Sequence, residues 1–504
     1  MTTSSRSTGG PPDVLLIVLD CVRSDLFEAT LARDGALPVL RKLSAESLTF
    51  PGAVSTASWT VPGHASLFTG LYPWDHGAHY RLGPILTQEP QTLAELLRSQ
   101  GYATAFYSAN AYVQPSTGLT RGFDEAYWGG GREFFLRFLS MQKATCPDLG
   151  GPALAWLPKK PGGERPSPIR DFAMNTFTRL PGVWDGMNRV GGRVNGTYAD
   201  DAQEICPWVE PQVDAWLARQ PTDRPAFAFV NLFEAHEPYL AAAGHPLGLR
   251  RWMSFATATQ DPVLWVNGGW QPSPREIEVV REAYVRSLET IDRRVGQLID
   301  IFRRHDRWEN TLFVLTSDHG QAFLERDSLY HRFRVDEPIA RIPLWLRTPG
   351  ARQRGVRSSE WASLVDVPRT IAALVGRDTF GDPAARSLLE PVDSAQAPPV
   401  YCMTDGIPAG EAPSMPAARR QLLDRLEVAA YRGNFKGVAR EDGTVEVYRV
   451  SPSAAPASPE AAAPGSERDA IADVARQALE LAKARIASHQ YHGSVEHRIA
   501  GWGY

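Results

Sequence analysis

Apolar residues in this chain fall into two kinds of run. Val14 to Leu19, Tyr102 to Tyr107, Ala226 to Phe233, Thr311 to Leu315 and Ile342 to Leu346 are short and nearly continuous, as expected of strands buried on both faces of a parallel sheet. Between them the spacing turns helical. Leu93, Leu96 and Leu97 predict a helix over 91–100 that Gly101 stops, and residues 198–219 predict another, broken by Pro207 and Pro211. Ile277, Val280, Tyr284, Leu288, Ile291, Val295, Leu298 and Ile301 predict a long amphipathic scaffold helix over 273–304, with Asp292 as a surface or structural residue. A further helix is expected over 364–375. Strands alternating with helices mean an α/β architecture.

The pattern changes at about residue 391. Shorter segments follow, Val400–Met403, Glu427–Arg432, Asn434–Arg440 and Val445–Val450, with Asp442-Gly443 as a hairpin turn, and predict a small antiparallel subdomain over 391–450. An Ala/Pro/Ser linker, 451–465, leads to a helix and tail over 466–504. At the other end, 1–12 is a polar arm expected to be disordered. The main domain spans 13–390. Within it, 129–195 loses all periodicity and is rich in Gly, Pro, Arg and aromatics, as expected of a lid or specificity loop.

Composition narrows the function. With 504 residues, 43% hydrophobic, the chain can bury a large core, and a net charge of −4 supplies no basic field for nucleic acid. Cys21, Cys146, Cys206 and Cys402 lack CxxC spacing, so neither a disulfide framework nor a thiolate zinc site is expected. Residues 1–12 lack the apolar stretch of a signal peptide and Val14–Leu19 is too short to span a bilayer, so a soluble, cytoplasmic protein without a membrane span is expected. Its oligomeric state stays open.

Candidate chemistry collects at strand ends, where open α/β sheets place ligands. Asp20 closes the first apolar run, and Cys21 beside it reads as a small buried apolar group whose thiol suits zinc and not calcium. Asp318 and His319 close the run from Thr311, His236 the run from Ala226, and Asn110 follows the run from Tyr102 as either a substrate donor or a turn residue. Thr60 opens a short helical pattern ending at Gly70. Its hydroxyl there is either a nucleophile facing an anion at a helix N-terminus or simply a cap, and His64 lies one turn on.

The stretch Thr60-Val61-Pro62-Gly63-His64-Ala65-Ser66-Leu67-Phe68-Thr69-Gly70, with Tyr72-Pro73 and His76-Gly77, resembles the nucleophile loop of sulfatases in the alkaline phosphatase superfamily. Thr316-Ser317-Asp318-His319-Gly320 resembles its metal motif, and Glu234-Ala235-His236-Glu237-Pro238-Tyr239 its histidine segment. The resemblance covers 13–127 and 198–450. It implies a sulfatase-like sandwich: a large, mainly parallel sheet flanked by helices, plus the small C-terminal antiparallel sheet. It also implies a metal held by Asp20, Thr60, Asp318 and His319, with Thr60 as nucleophile, His64, His236 and His331 as catalytic histidines, and Asn110 binding substrate. Zn or Mn is expected before Ca, because His is a poor calcium ligand, and one ion before two. Sulfatases convert a Cys or Ser to formylglycine, and threonine is not a substrate for that conversion. The resemblance therefore points to a phosphate ester, mono- or diester, hydrolysed or transferred through a covalent Thr60 intermediate. A sulfatase working without formylglycine and a non-catalytic binding protein are the alternatives.

Overall fold

The computed structural model describes residues 10–128 except 82, 84, 88 and 111; 206, 208–237 and 239; 272–391 except 352; 396–406; 424–453; and 460–489. The expected insertion 129–195 and most of the expected arm and tail lie outside the described residues, as do Cys146 and the start of the helix expected from residue 198, which is described as Val209–Arg219.

Eight strands form the main sheet: β1 Asp13–Leu19, β2 Leu48–Thr49, β3 Ala103–Ser108, β4 Glu125–Trp128, β5 Ala226–Leu232, β6 Thr311–Thr316, β7 Leu344–Arg347 and β8 Val356–Arg357. Their spatial order is β8-β2-β7-β6-β1-β5-β3-β4. β7 runs antiparallel to both of its neighbours, and the other pairings are parallel. This is the large, mainly parallel sheet expected from the sequence.

β1 is central and shows why its apolar run is unbroken. Successive strand residues face opposite sides, and both sides are covered. Leu15, Ile17 and Leu19 join a core with Tyr284, Leu288 and Ile291 of the long helix Pro274–Arg304. Val14, Leu16 and Val18 join a second core with Val61, Ala65 and Phe68 of the helix Thr60–Thr69. Ser273 starts the long helix with a capping box, and all eight of its expected apolar positions are buried. Asp292 is structural: its carboxylate accepts from the amides of Leu40 (2.7 Å) and Val39 (3.3 Å), capping the helix Pro38–Ala45 from outside.

The second sheet is antiparallel and five-stranded: β9 Val400–Thr404, β10 Glu427–Arg432, β11 Phe435–Arg440, β12 Val445–Arg449 and β13 Glu460–Ala461, in that order. β13 falls inside the stretch read as a linker, which is thus partly ordered. Its pairing with Tyr448 and Arg449 gives the edge backbone of β12 a partner. The helix Ser466–Ser488 covers this sheet, packing Ile471, Ala475 and Leu479 on Val428, Phe435 and Val447. A Cβ at Gly437 would stand 2.7 Å from the Ile471 carbonyl oxygen, so glycine permits that approach. The small sheet meets the main domain where Val400, Tyr431 and Val438 pack on Ala340 and on Val54 and Trp361 of a separate two-stranded ladder, Gly52–Val54 with Trp361–Ser363. Among the described residues no helix is long and apolar enough to cross a membrane.

Candidate active site

Three adjacent strands deliver the site. β1 ends at Asp20, β6 runs into Ser317-Asp318-His319, and β5 runs into the turn that carries His236 and Glu237. The fourth contribution comes from the N-terminal end of the helix Thr60–Thr69, which docks against Asp318. A Cβ at Gly63 would lie 2.8 Å from the Asp318 carbonyl oxygen, so the Gly63 position sets how closely helix and strand end approach.

Thr60 is not a cap. The N-cap is Trp59, without a side-chain cap bond, and Thr60 is the first helical residue. Its Oγ1 sits 3.3 Å from His319 Nε2. His319 Nδ1 is 2.9 Å from the Gly320 carbonyl, which can only accept, so Nδ1 carries the proton and Nε2 the lone pair. Burial pushes this imidazole down to about 4, keeping it neutral. Asp318 Oδ1 accepts from the backbone amides of Cys21 (3.2 Å) and His319 (2.9 Å). Its Oδ2 is buried and accepts no hydrogen bond among the described residues.

Asp20 is fully buried and is held by two amides, Asn110 Nδ2 at 2.8 Å and Asn231 Nδ2 at 3.2 Å, both on Oδ2. Burial pushes its carboxyl up, but the imidazoles of His236, His319 and His64 and the Asn110 amide outweigh this and hold it below the usual range. Asp318 goes the other way: burial and the neighbouring Asp20 charge raise it well above the usual range.

The expected site residues do converge. Asn110, expected to bind substrate, donates from Nδ2 to Asp20 and accepts on Oδ1 from the Tyr112 N–H (2.8 Å). His64 places Nδ1 2.9 Å from the Thr60 carbonyl and Nε2 3.4 Å from Asn231 Nδ2. Both nitrogens are engaged by protein, and burial lowers its pKa. His331 stacks on His319 at 4.4 Å between ring centroids and lies 5.4 Å from His236, whose side chain is 18% exposed and opens the cluster outward. A cavity of about 270 Å³ lined by Pro38, Leu43, Ile299 and Trp308 contains none of these groups.

Sequence reasoning passed over Asn231, Gln321 and Glu237. Asn231 left a signal, as the lone amide in the apolar run of β5. Gln321 and Glu237 stood inside the quoted motifs, but their partners come from other elements: Gln321 Nε2 donates to Glu237 Oε2 (3.0 Å) and Tyr239 Oη (2.8 Å), while its Oε1 takes His331 Nδ1 (2.8 Å).

Residues 12–377 match the family model named Sulfatase. The chain belongs to the Sulfatase family. Sulfatase-family relatives include the multifunctional alkaline phosphatase superfamily protein PehA of Trinickia caryophylli, 26% identical over 75% of this chain and 76% of that protein. A choline-sulfatase of Rhizobium meliloti is 25% identical over 73% and 68%. The phosphonate monoester hydrolase of Agrobacterium radiobacter superposes with a TM-score of 0.61 over 94% of this chain and 96% of that one, at 19% identity. The family is one of metal-dependent hydrolases, and the sulfatase-like fold read from the sequence is the fold of this chain.

The residues present fit a divalent ion. Asp318 Oδ2 is a buried carboxyl oxygen without a donor, and His319 aims a lone pair fixed by its Nδ1–H bond, the arrangement by which a ligating histidine is oriented. Asp20 and Thr60 complete a mixed oxygen and nitrogen set.

Proposed function

We propose that this chain hydrolyses or transfers a phosphate ester, with Thr60 as nucleophile and Asp20, Asp318, His319 and the Thr60 oxygen as ligands of one zinc or manganese ion. The observation that carries this reading is the Thr60 hydroxyl, first in its helix and 3.3 Å from the His319 lone pair, beside a buried carboxylate oxygen without a donor.

A divalent cation held there would lower the pKa of the threonine hydroxyl and draw charge from a substrate oxygen. Thr60 Oγ1 releases its proton to water and attacks phosphorus, the bond to the leaving oxygen breaks, and the first-turn amides of the helix face the anion. The leaving oxygen takes its proton from water, since the Nδ1 atoms of His64, His236 and His331 are each engaged by the protein. Water, or an acceptor alcohol, then attacks the phospho-threonine, the Thr60 O–P bond breaks, and the threonine recovers its proton. Asn110 and Asn231 hold Asp20 in place throughout. Substrate choice belongs to residues 129–195, the part of the main domain least like the family.

Threonine supports phosphate over sulfate, because an unmodified alkoxide would form a sulfo-threonine that breaks down slowly. The names of the relatives span both chemistries, a choline-sulfatase and a phosphonate monoester hydrolase. A panel of phosphate mono- and diesters and aryl sulfates, run on metal-loaded protein, separates them. Turnover of a phosphate ester with a phosphate adduct on the peptide containing Thr60 supports the reading; turnover of sulfates alone overturns it.

A further inference from the structure

Beside the site just described lies a second set of donors that the proposed chemistry does not use as ligands. Cys21, His236, Glu237 and His331 each bring one ligand atom within 4.8 Å of all the others. Tetrahedral zinc with thiolate and imidazole ligands needs edges of about 3.3–3.6 Å, from bonds of about 2.3 and 2.0–2.1 Å. Cys21 Sγ already lies 3.8 Å from the His331 ring at Nδ1, and because that nitrogen gives its proton to Gln321 Oε1, Nε2 is left as the ligand. We propose that these four side chains form a second metal site, selective for zinc, adjoining the first through the Asp20–Cys21 peptide.

The donor chemistry selects the ion. A thiolate with two imidazoles and one carboxylate suits zinc and disfavours magnesium, calcium and manganese. Binding releases the thiol proton to solvent as the sulfur–metal bond forms.

The charge balance asks for a cation. Asp20, Asp318 and Glu237 converge on Cys21 in a buried place, yet Asp318 and Glu237 have only histidines within ion-pair distance, and no Lys or Arg pairs with any of the three carboxylates among the described residues. Buried charges of one sign without a counter-ion are costly.

The supports of these ligands are already in place. Glu237 Oε2 accepts from Gln321 Nε2, whose own amide is pinned by Tyr239 Oη; the same glutamine takes His331 Nδ1; and His236 Nδ1 donates to the Glu237 carbonyl at 2.9 Å. Outer hydrogen bonds of this kind fix ligand orientation. Cys21 adopts a φ of 64°, uncommon outside glycine, and is held there by Tyr284 Oη on its carbonyl (2.9 Å) and by Asp318 on its N–H. His236 is the partly exposed member, which gives an ion a way in.

The sequence alone suggested one ion; the structure adds this second donor set. The proposal rests on these four side chains and not on the choice of substrate. Its test is titration of the metal-depleted full-length protein with Co²⁺, followed by electronic absorption and by metal analysis after dialysis. Two cobalt ions per chain are expected, one of them with an intense near-ultraviolet thiolate-to-cobalt band. Cys21→Ser should abolish the band and lower the stoichiometry to one. Glu237→Gln, which leaves the thiol intact should the serine variant not fold, should weaken the thiolate-bound cobalt at least tenfold. A stoichiometry of one in the wild type, or a second ion bound without a thiolate band, overturns the proposal. A loss of turnover in Thr60→Ala would bear on the nucleophile and leave the band untouched.

Discussion

Glu337 and Asp318 are both buried carboxylates in one molecule, and they are treated in opposite ways. Glu337, where the small sheet meets the main domain, is met by Lys436 Nζ at 2.9 Å, Arg341 at 3.3 Å and Tyr431 Oη at 2.8 Å. Burial alone would raise its carboxyl, but Lys436 and Arg341 outweigh burial and keep it below the usual range. Asp318 faces only neutral imidazoles and another carboxylate, and it is raised well above that range. The protein therefore carries its own cation where charge joins the small sheet to the main domain and leaves the cation out where chemistry is expected. A buried carboxylate marks a functional site when its counter-charge is missing, not when it is merely buried.

The largest way to break this contrast is Lys436→Met. Removing one member of a buried pair should cost about 3–5 kcal/mol of unfolding free energy, measured by denaturant titration. The double variant Lys436→Met with Glu337→Gln should recover part of that loss. A single variant as stable as wild type would show that the Glu337 cluster is not held by charge.

Next in size is a buried group kept neutral by design of its partners. His76 Nδ1 accepts from the Ala78 N–H at 3.1 Å, leaving Nε2 to pair with Ser66 Oγ at 3.2 Å, and burial pushes its pKa down to about 3. The folded value lies below the unfolded value of about 6.5, so this stabilisation is complete above about pH 6.5 and is lost as pH falls toward 3. Between pH 7 and 5 the loss should be about 2 kcal/mol. His76→Asn, which keeps an acceptor for Ala78, should flatten that part of the pH–stability curve. An unchanged slope would remove His76 from the account.

Asp292→Ala should cost about 1 kcal/mol, since it removes the external cap of the helix Pro38–Ala45, whose own N-cap, Leu37, makes no side-chain cap bond. Smallest of all, Asp318→Asn in metal-free protein should change the unfolding free energy by no more than about 1 kcal/mol, the scale of one neutral hydrogen bond. The amide keeps the buried group neutral, while Oδ1 still serves the two backbone amides. In metal-loaded protein the same variant should forfeit metal-dependent stabilisation. A strong destabilisation of the metal-free form would make Asp318 a structural residue like Glu337.

How much of this was legible beforehand follows from what each feature depends on. β1 was read to the residue because burial on both faces leaves an unbroken apolar run, a local signal. The strand ends at Asp20, Asp318, His319 and His236 were legible for the same reason. Thr60 was not resolved between cap and nucleophile, because the difference lies in the extended backbone of Trp59, φ −160° and ψ 171°, which makes Trp59 the cap position. Cys21 read as a small apolar group because nothing near it in sequence says otherwise; Glu237, His236 and His331 reach it only through the parallel packing of β1, β5 and β6. Asn110 shows the converse, a residue placed correctly whose bond to Asp20 could not be read from its neighbours, since Asp20 lies on a different strand.

The central claim is that the Thr60 hydroxyl attacks the substrate. It is tested most directly by the turnover of Thr60→Ala, loaded with metal to the same content as wild type, on a phosphate ester that the wild type hydrolyses. Because Thr60 caps nothing, the variant should lose no more than about 1 kcal/mol of stability, while turnover should fall by about 10³-fold or more. Turnover near that of the wild type in a folded, metal-loaded Thr60→Ala protein would contradict the account.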